Sequence, residues 1–133
     1  MVLACGCSHD TRSYSVSLRN ETRRPVTIAL TKTGAPVENA WASPELIADG
    51  QASADAANGF AVIGAGRIGT VNDIKGEFPG NVQAVLRVYA GEPTLGEMLR
   101  MFPGQERADY QLKPGRNDLV VRSVPGGFAV QPR

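Results

Sequence analysis

Histidine and cysteine are the scarcest reactive residues of this 133-residue sequence, which has one histidine and two cysteines, all within the first nine positions. A Ser-His-Asp or Cys-His arrangement needs a histidine as its base, and none follows position 9. Carboxylate pairs offer another catalytic route, but no sequence spacing selects a pair over a solvated surface. We therefore predict a non-enzymatic protein. The acidic residues from which such a pair could be assembled are Glu77, Glu92, Glu97, Asp109 and Asp118.

The sequence also lacks a large net charge: it has 14 Lys and Arg residues and 13 Asp and Glu residues, which give a net charge of +1. Proteins that bind nucleic acid carry a strongly basic face, so nucleic acid is not an expected partner. The sequence has no apolar run near the roughly 20 residues that a membrane-spanning helix needs. No spanning helix is predicted.

What the sequence does have is strand-forming stretches separated by 15 glycines and 9 prolines. The longest covers residues 81–90, where even-numbered positions are all apolar and odd-numbered positions are mixed. Alternation of this kind is typical of a strand with one face on a core. We predict that it is the central strand of the fold. Its apolar positions are Val82, Ala84, Leu86, Val88 and Ala90.

Further alternating stretches predict two hairpins, one from residues 14–18 and 26–30, the other from residues 107–112 and 118–124. Shorter strands complete a set of about eight. A chain of this length fits one domain, and many short strands at this spacing favour a sandwich. The predicted fold is mainly β: an antiparallel β-sandwich, immunoglobulin-like or transthyretin-like, with one short helix. The shorter predicted strands cover residues 60–63, 67–71, 74–78 and 128–130.

The one helix is predicted at residues 94–102, where Thr94 and Glu97 have the spacing of a capping box. Apolar residues follow at the spacing of one helical face. Ser43 and Pro44 predict a shorter helical turn, and Trp41 before it is expected to cover an edge of the core. Residues 48–59 are small and polar, which predicts a mobile loop. The predicted apolar face of the helix is Leu95, Met98, Leu99 and Phe102.

Residues 61–69 contain the pattern G-x-G-x-x-G, formed by Gly64, Gly66 and Gly69. The pattern resembles the fingerprint of nicotinamide- and flavin-dependent enzymes, which implies a dinucleotide-binding oxidoreductase fragment as the alternative function. A true site needs a helix that opens at the motif. The residues that follow contain two glycines, a proline and several β-branched residues, which disfavour a helix. We predict a tight turn between two strands, and no cofactor.

The N-terminal residues Val2-Leu3-Ala4-Cys5 resemble the lipobox of bacterial lipoproteins, in which small apolar residues precede an acylated cysteine. The resemblance implies lipidation at Cys5, with Met1 lying inside a longer signal peptide. Alternatives are a disordered tail or a metal site, since Cys5, Cys7 and His9 alternate as soft or borderline ligands. Three ligands do not complete a tetrahedral site, so no metal is predicted. Residues 1–12 are assigned to a signal remnant or tether and residues 13–131 to one domain.

Two turn phrases, Asn-x-Thr-x-x-Pro-Val from Asn20 and Leu-x-Pro-Gly-x-Asn-x-Leu-Val from Leu112, resemble those of small bacterial envelope proteins with one β-sandwich domain and no assigned activity. Asn20 also begins an N-glycosylation triplet, which we interpret as turn chemistry. The resemblances imply a lipid-anchored binding or structural module of the cell envelope. It would be extracytoplasmic, in the periplasm or at the cell surface, with a protein or glycan partner.

Overall fold

The computed structural model of the chain describes residues 10–133, which form two packed four-stranded sheets. The first sheet has the order β4-β1-β7-β8 and the second the order β3-β2-β5-β6. All neighbouring strands are antiparallel except the parallel pair β1 and β7. The predicted mainly antiparallel β-sandwich is confirmed. The strands are β1 (Thr11–Asn20), β2 (Val26–Lys32), β3 (Ala61–Ile63), β4 (Ile68–Glu77), β5 (Ala84–Ala90), β6 (Arg107–Gln111), β7 (Gly115–Val124) and β8 (Gly127–Pro132).

The topology corrects both predicted hairpins, because β1 and β2 lie in different sheets and so do β6 and β7. Each polar connection therefore carries the chain from one sheet to the other. Alternation of apolar and polar residues indicates a strand with one buried face, but it does not identify the strand with which it pairs. In the immunoglobulin order the first two strands share a sheet, so the strand order found here differs from the immunoglobulin one.

The stretch predicted as the central strand forms β5, which is an inner strand between β2 and β6. Three of its even-numbered residues, Ala84, Leu86 and Val88, are buried in the core between the sheets. The opposite face of β5 is also covered, because Tyr89 is buried against Met98 and Met101. The second sheet therefore has an apolar inner face and an outer face that short helices cover.

One end of the core holds three aromatic rings that touch one another edge to face. Ring centroids are 5.3 Å apart for Tyr14 and Trp41, 5.0 Å for Tyr14 and Phe78, and 5.1 Å for Trp41 and Phe78. The indole nitrogen of Trp41 donates to the Lys75 carbonyl at 2.9 Å. Trp41 is 1% exposed. It therefore packs in the core as predicted, although it lies deeper than the predicted position at an edge.

The strand β4 joins two stretches that the sequence predicted as separate strands. Its pairing with β1 shifts register between Tyr14 and Val16, and Asp73 adopts a φ of 51° at this irregularity. The Asp73 amide donates to the Ser15 hydroxyl at 2.9 Å. A bulge inserts extra residues into a strand without ending it, which is why two predicted strands are one.

Residues 10–133 form two short α-helices, α1 (Pro44–Ala48) and α2 (Leu95–Met98), and α2 is shorter than the helix predicted at residues 94–102. The capping box of Thr94 and Glu97 forms as predicted. The predicted continuation to residue 102 is wrong, because Phe102 is 72% exposed and Met101 is the buried residue. The predicted loop at residues 48–59 contains a 3-10 helix, Ala54–Gly59, which packs on α1 through Ala56 and Ile47.

Among residues 10–133, no helix is long and apolar enough to cross a membrane. The proposed division into a tether, residues 1–12, and a domain, residues 13–131, stays a prediction. Within the described range, β1 already begins at Thr11 and β8 ends at Pro132.

Candidate functional site

The residues predicted for lipidation or metal binding, Cys5, Cys7 and His9, lie outside the described residues. Within residues 10–133, no group of three or more histidine, cysteine or acidic side chains is close enough to hold a metal ion. The lipidation of Cys5 therefore remains a prediction from the sequence.

The G-x-G-x-x-G motif lies at the junction of β3 and β4 rather than at the start of a helix. Gly66 has a φ of +76°, and the Arg67 amide donates to the Gly64 carbonyl at 3.0 Å, which closes a turn. A Cβ at Gly69 would come 2.5 Å from the Ile63 side chain, so this glycine serves packing. A pyrophosphate site uses a helix N-terminus, and a strand follows the motif here.

The acidic residues considered for catalysis are spread over the fold, and most have local structural partners. Asp109 accepts two hydrogen bonds from Arg107, both at 2.8 Å, and Asp118 pairs with Arg116 at 3.0 Å. The Glu97 side chain accepts from the Thr94 amide. Hydrogen bonding to Thr94 lowers the pKa of Glu97, whereas a general acid needs a raised pKa. Of the five, Glu92 and Glu97 line one cleft, and Glu77 is the last residue of β4.

The first turn phrase is explained by Asn20, which is fully buried at the end of β1. Its side-chain amide donates to the carbonyls of Arg24 at 2.8 Å and Ile63 at 2.9 Å. Its carbonyl oxygen accepts from the Thr22 amide at 2.9 Å and from the Thr22 hydroxyl. Asn20 therefore holds the connection from the first sheet to the second, and its nitrogen is not accessible for glycosylation.

The second turn phrase has an equivalent residue in Asn117, which is also buried. Its side-chain nitrogen donates to the carbonyls of Lys113 at 2.9 Å and Ser15 at 3.2 Å. Its oxygen accepts from the Lys113 amide at 2.9 Å. This asparagine fixes another of the crossings between sheets, the one from β6 to β7. The asparagines of both turn phrases therefore stabilise the fold and do not form an active site.

The end of the sandwich at Asn20, hereafter the far end, carries two adjoining clefts. They have volumes of about 390 and 460 Å³ and share Arg24, Ala90 and Glu106. The first also contains Arg100 and Glu92, so its wall bears both signs of charge. Asp10, the first residue that the structure describes, lies at the opposite end, where the Phe78 amide donates to its carbonyl at 2.8 Å. Asp10 and the clefts therefore lie at opposite ends of β1.

A third cleft, hereafter the side cleft, lies where α1 covers the outer face of the second sheet, and has a volume of about 480 Å³. Arg87 on β5 lies in it, with a side chain only 17% exposed. Its Nη1 donates to Glu45 Oε1 at 2.6 Å and to the Tyr89 hydroxyl at 3.1 Å. Arg107 also lines the side cleft. These contacts attach α1 to the sheet.

The electrostatics of the side cleft keep its acidic residue ionised. Burial alone would raise the pKa of Glu45, but the hydrogen bond and positive charge of Arg87 outweigh it and lower that pKa below its ordinary 4.5. Burial also raises the pKa of Tyr89, with the hydrogen bond from Arg87 opposing it. At neutral pH the cleft therefore presents an ionised Glu45 and a charged Arg87, and the buried Tyr89 hydroxyl that Arg87 contacts is neutral.

Sequence reasoning missed the side cleft entirely. Arg87 and Tyr89 stand at odd positions of the predicted central strand, and this face was recognised only as amphipathic. Glu45 was seen only as part of a short helical turn, 42 residues from Arg87. A charged residue inside an otherwise apolar strand was the one available signal, since such a residue needs a partner when it is buried.

No protein-family model matches the chain, and no curated protein matches it in sequence. A solved structure similar in fold is the crystal structure of the T6SS lipoprotein TssJ1 from Pseudomonas aeruginosa. The two are 11% identical, with a TM-score of 0.42, and the match covers 92% of this chain and 96% of that one.

Proposed function

We propose that this chain is a non-enzymatic binding or structural module of the cell envelope, held at a membrane by a lipid on Cys5. The observation that carries the proposal is the relation between Asp10 and the clefts. Asp10 lies at one end of the sandwich, and the two adjoining clefts open at the far end. A module anchored through its N-terminus would direct the far end away from the membrane.

The dimensions suit such an orientation. Five residue steps separate Cys5 from Asp10, and an extended chain covers at most about 3.3–3.6 Å per residue, so the tether reaches about 17 Å. The ten residues of β1 add about 33 Å at a rise of roughly 3.3 Å per residue. The clefts would then lie up to about 50 Å from the lipid, within reach of an envelope partner.

The binding role is supported by the nature of the far end. Its two clefts have sizes within the range of roughly 300–1,000 Å³ that is usual for ligand sites. Their walls combine the charges of Arg24, Arg100 and Glu106 with apolar side chains such as Phe128. A protein or glycan of the envelope is the kind of partner that such a mixed surface fits.

Fractionation of cells that express the gene with its genomic upstream sequence tests the anchor. We expect the protein in the membrane fraction, and the Cys5→Ser variant in the soluble extracytoplasmic fraction. Cys7→Ser is the matched control, since it removes a thiol two positions away, and it should stay with the membrane. A Cys5→Ser protein that still sediments with the membrane, or a wild-type protein in the cytosolic fraction, would contradict the proposal.

A further inference from the structure

The side cleft has the composition of a small-molecule site. Its volume of about 480 Å³ falls within the usual range of roughly 300–1,000 Å³. Its lining includes the apolar residues Ala35, Val37 and Leu46 together with the basic residues Arg87 and Arg107. Ligand sites typically combine an apolar lining with a few convergent polar groups, as this cleft does.

Arg87 has hydrogen-bond donors that its protein neighbours do not use. A guanidinium has five N–H donors, and the two bonds that Arg87 makes to Glu45 and Tyr89 both come from Nη1. No group within residues 10–133 accepts from its Nε or Nη2. No fully buried side-chain nitrogen in this range lacks a partner. The Nε and Nη2 donors therefore keep some exposure to solvent, on a residue that lines the cleft.

Arg107 brings a second positive charge to the lining of the same cleft. It stands opposite Tyr89 in the pairing of β5 and β6, and Asp109 stands opposite Arg87. Asp109 holds the Arg107 guanidinium through two bonds of 2.8 Å, and the Arg107 side chain is 12% exposed. Both arginines are thus fixed before any ligand arrives, which reduces the entropy lost on binding.

The neighbouring acidic group limits the charge that the cleft accepts. Glu45 is ionised and lies 2.6 Å from Arg87 Nη1, so it offsets part of the positive charge. Lys32 also lines the cleft, but its ammonium group is committed to Glu38. Asp109 offsets the charge of Arg107 in the same way, so the paired groups around the cleft carry no net charge. A monocarboxylate would therefore be held by hydrogen bonds from Arg87, and a dianion would be repelled more strongly by Glu45.

We propose that the side cleft binds a small monocarboxylate with a short apolar body. The carboxylate accepts hydrogen bonds from Nε and Nη2 of Arg87, the paired geometry in which a guanidinium recognises a carboxylate. The hydrocarbon part lies on Ala35, Val37 and Leu46. This site is separate from the far-end clefts, and its occupancy does not depend on the lipid anchor.

Titration of the full chain with hexanoate, followed by calorimetry and by NMR of the arginine Nε–H signals, tests the proposal. We expect saturable binding that shifts the signals of Arg87 and Arg107. Hexanamide has the same apolar body without the charge and should bind at least roughly tenfold more weakly, as expected for losing bonds to a charged group. Inorganic phosphate has the charge without the body and should bind equally weakly.

Two variants and one matched control complete the test. Arg87→Gln and Val37→Asp should each weaken hexanoate binding by roughly tenfold or more, and Val37 is 40% exposed, so its substitution spares the fold. Arg122→Gln is the control, because Arg122 also pairs with a glutamate, at 2.9 Å, but lies on the other sheet. No saturable binding of millimolar hexanoate, equal binding of hexanamide or phosphate, or unchanged binding by Val37→Asp would overturn the proposal.

Discussion

Gly76 lies so close to the indole of Trp41 that a Cβ on the glycine would come 2.5 Å from the indole Nε1. The same Cβ would be 2.9 Å from the ring of Phe78. Gly76 is on β4, and the residue before it, Lys75, accepts the indole hydrogen bond at 2.9 Å. The absence of a side chain at position 76 therefore lets the aromatic cluster pack directly on the strand.

Replacement of Gly76 by alanine should lower the free energy of unfolding by about 1–3 kcal/mol, the usual cost of overpacking a core. Urea unfolding followed by Trp41 fluorescence measures it. The matched control is Gly96→Ala, since a Cβ on Gly96 has nothing within 4 Å and lies in α2. That variant should be as stable as the wild type or up to about 1 kcal/mol more stable. Equal stability of Gly76→Ala and wild type would contradict the packing described.

Asn20→Ala should be destabilising because it leaves the Arg24 and Ile63 carbonyls without their donor. Each buried polar group left unpaired costs about 1–3 kcal/mol. Asn72→Ala, at an exposed position on β4, should change stability by less than about 0.5 kcal/mol. Thermal unfolding of both variants gives the comparison. Similar melting temperatures for the two would show that Asn20 does not hold the crossing between sheets.

Two neighbouring apolar residues after α2 should differ sharply in their effect on stability. Met101 is 7% exposed and packs in the cluster with Tyr89, whereas Phe102 is 72% exposed. Met101→Ala should cost about 2 kcal/mol or more, and Phe102→Ala less than about 0.5 kcal/mol. Denaturant unfolding of the pair distinguishes them. A larger loss for Phe102→Ala would mean that the helix continues to residue 102 as its sequence pattern indicates.

Acidification should weaken the attachment of α1 to the second sheet. Arg87 lowers the pKa of Glu45 below its ordinary 4.5 in the folded chain. A carboxyl with a lowered folded-state pKa contributes stability that is fully present above its unfolded pKa and is lost as the pH falls through the folded value. Stability measured from pH 7 downward should therefore fall below about pH 4.5, and fall less in Glu45→Gln.

A control for the pH dependence is Glu92→Gln, which removes an exposed acidic residue at the far end. Its stability should decline with acid as steeply as that of the wild type. If Glu45→Gln showed the wild-type slope as well, the pair of Glu45 and Arg87 would not contribute to the stability of the folded chain.

The strands were largely predictable because alternation is a local signal, and Leu86 and Val88 are buried as their spacing indicates. The pairing of strands was not predictable in the same way. Short polar connections suggested hairpins, yet Asn20 and Asn117 turn the chain between sheets through long-range bonds to Ile63 and Ser15. Bonds across 43 and 102 residues leave no trace in local patterns.

The candidate sites also differ in whether local sequence patterns or long-range contacts form them. The turn at Gly64 and Gly66 could be predicted, because the residues after it disfavour a helix. The side cleft could not, because its parts come from α1, β5 and β6, and only the fold brings Glu45 to Arg87. The helix at residues 94–102 was overpredicted since helical spacing continues to Phe102, while the chain leaves the helix after Met98 so that Met101 can pack on Tyr89.

The lipid on Cys5 is tested most directly by the intact mass of the protein extracted with detergent from cells that express the gene with its genomic upstream sequence. The proposed envelope module requires an acylated Cys5 at the mature N-terminus. We predict a mass equal to residues 5–133 plus the lipid, and the loss of that species in Cys5→Ser. A chain that retains residues 1–4 and carries no lipid would contradict the account.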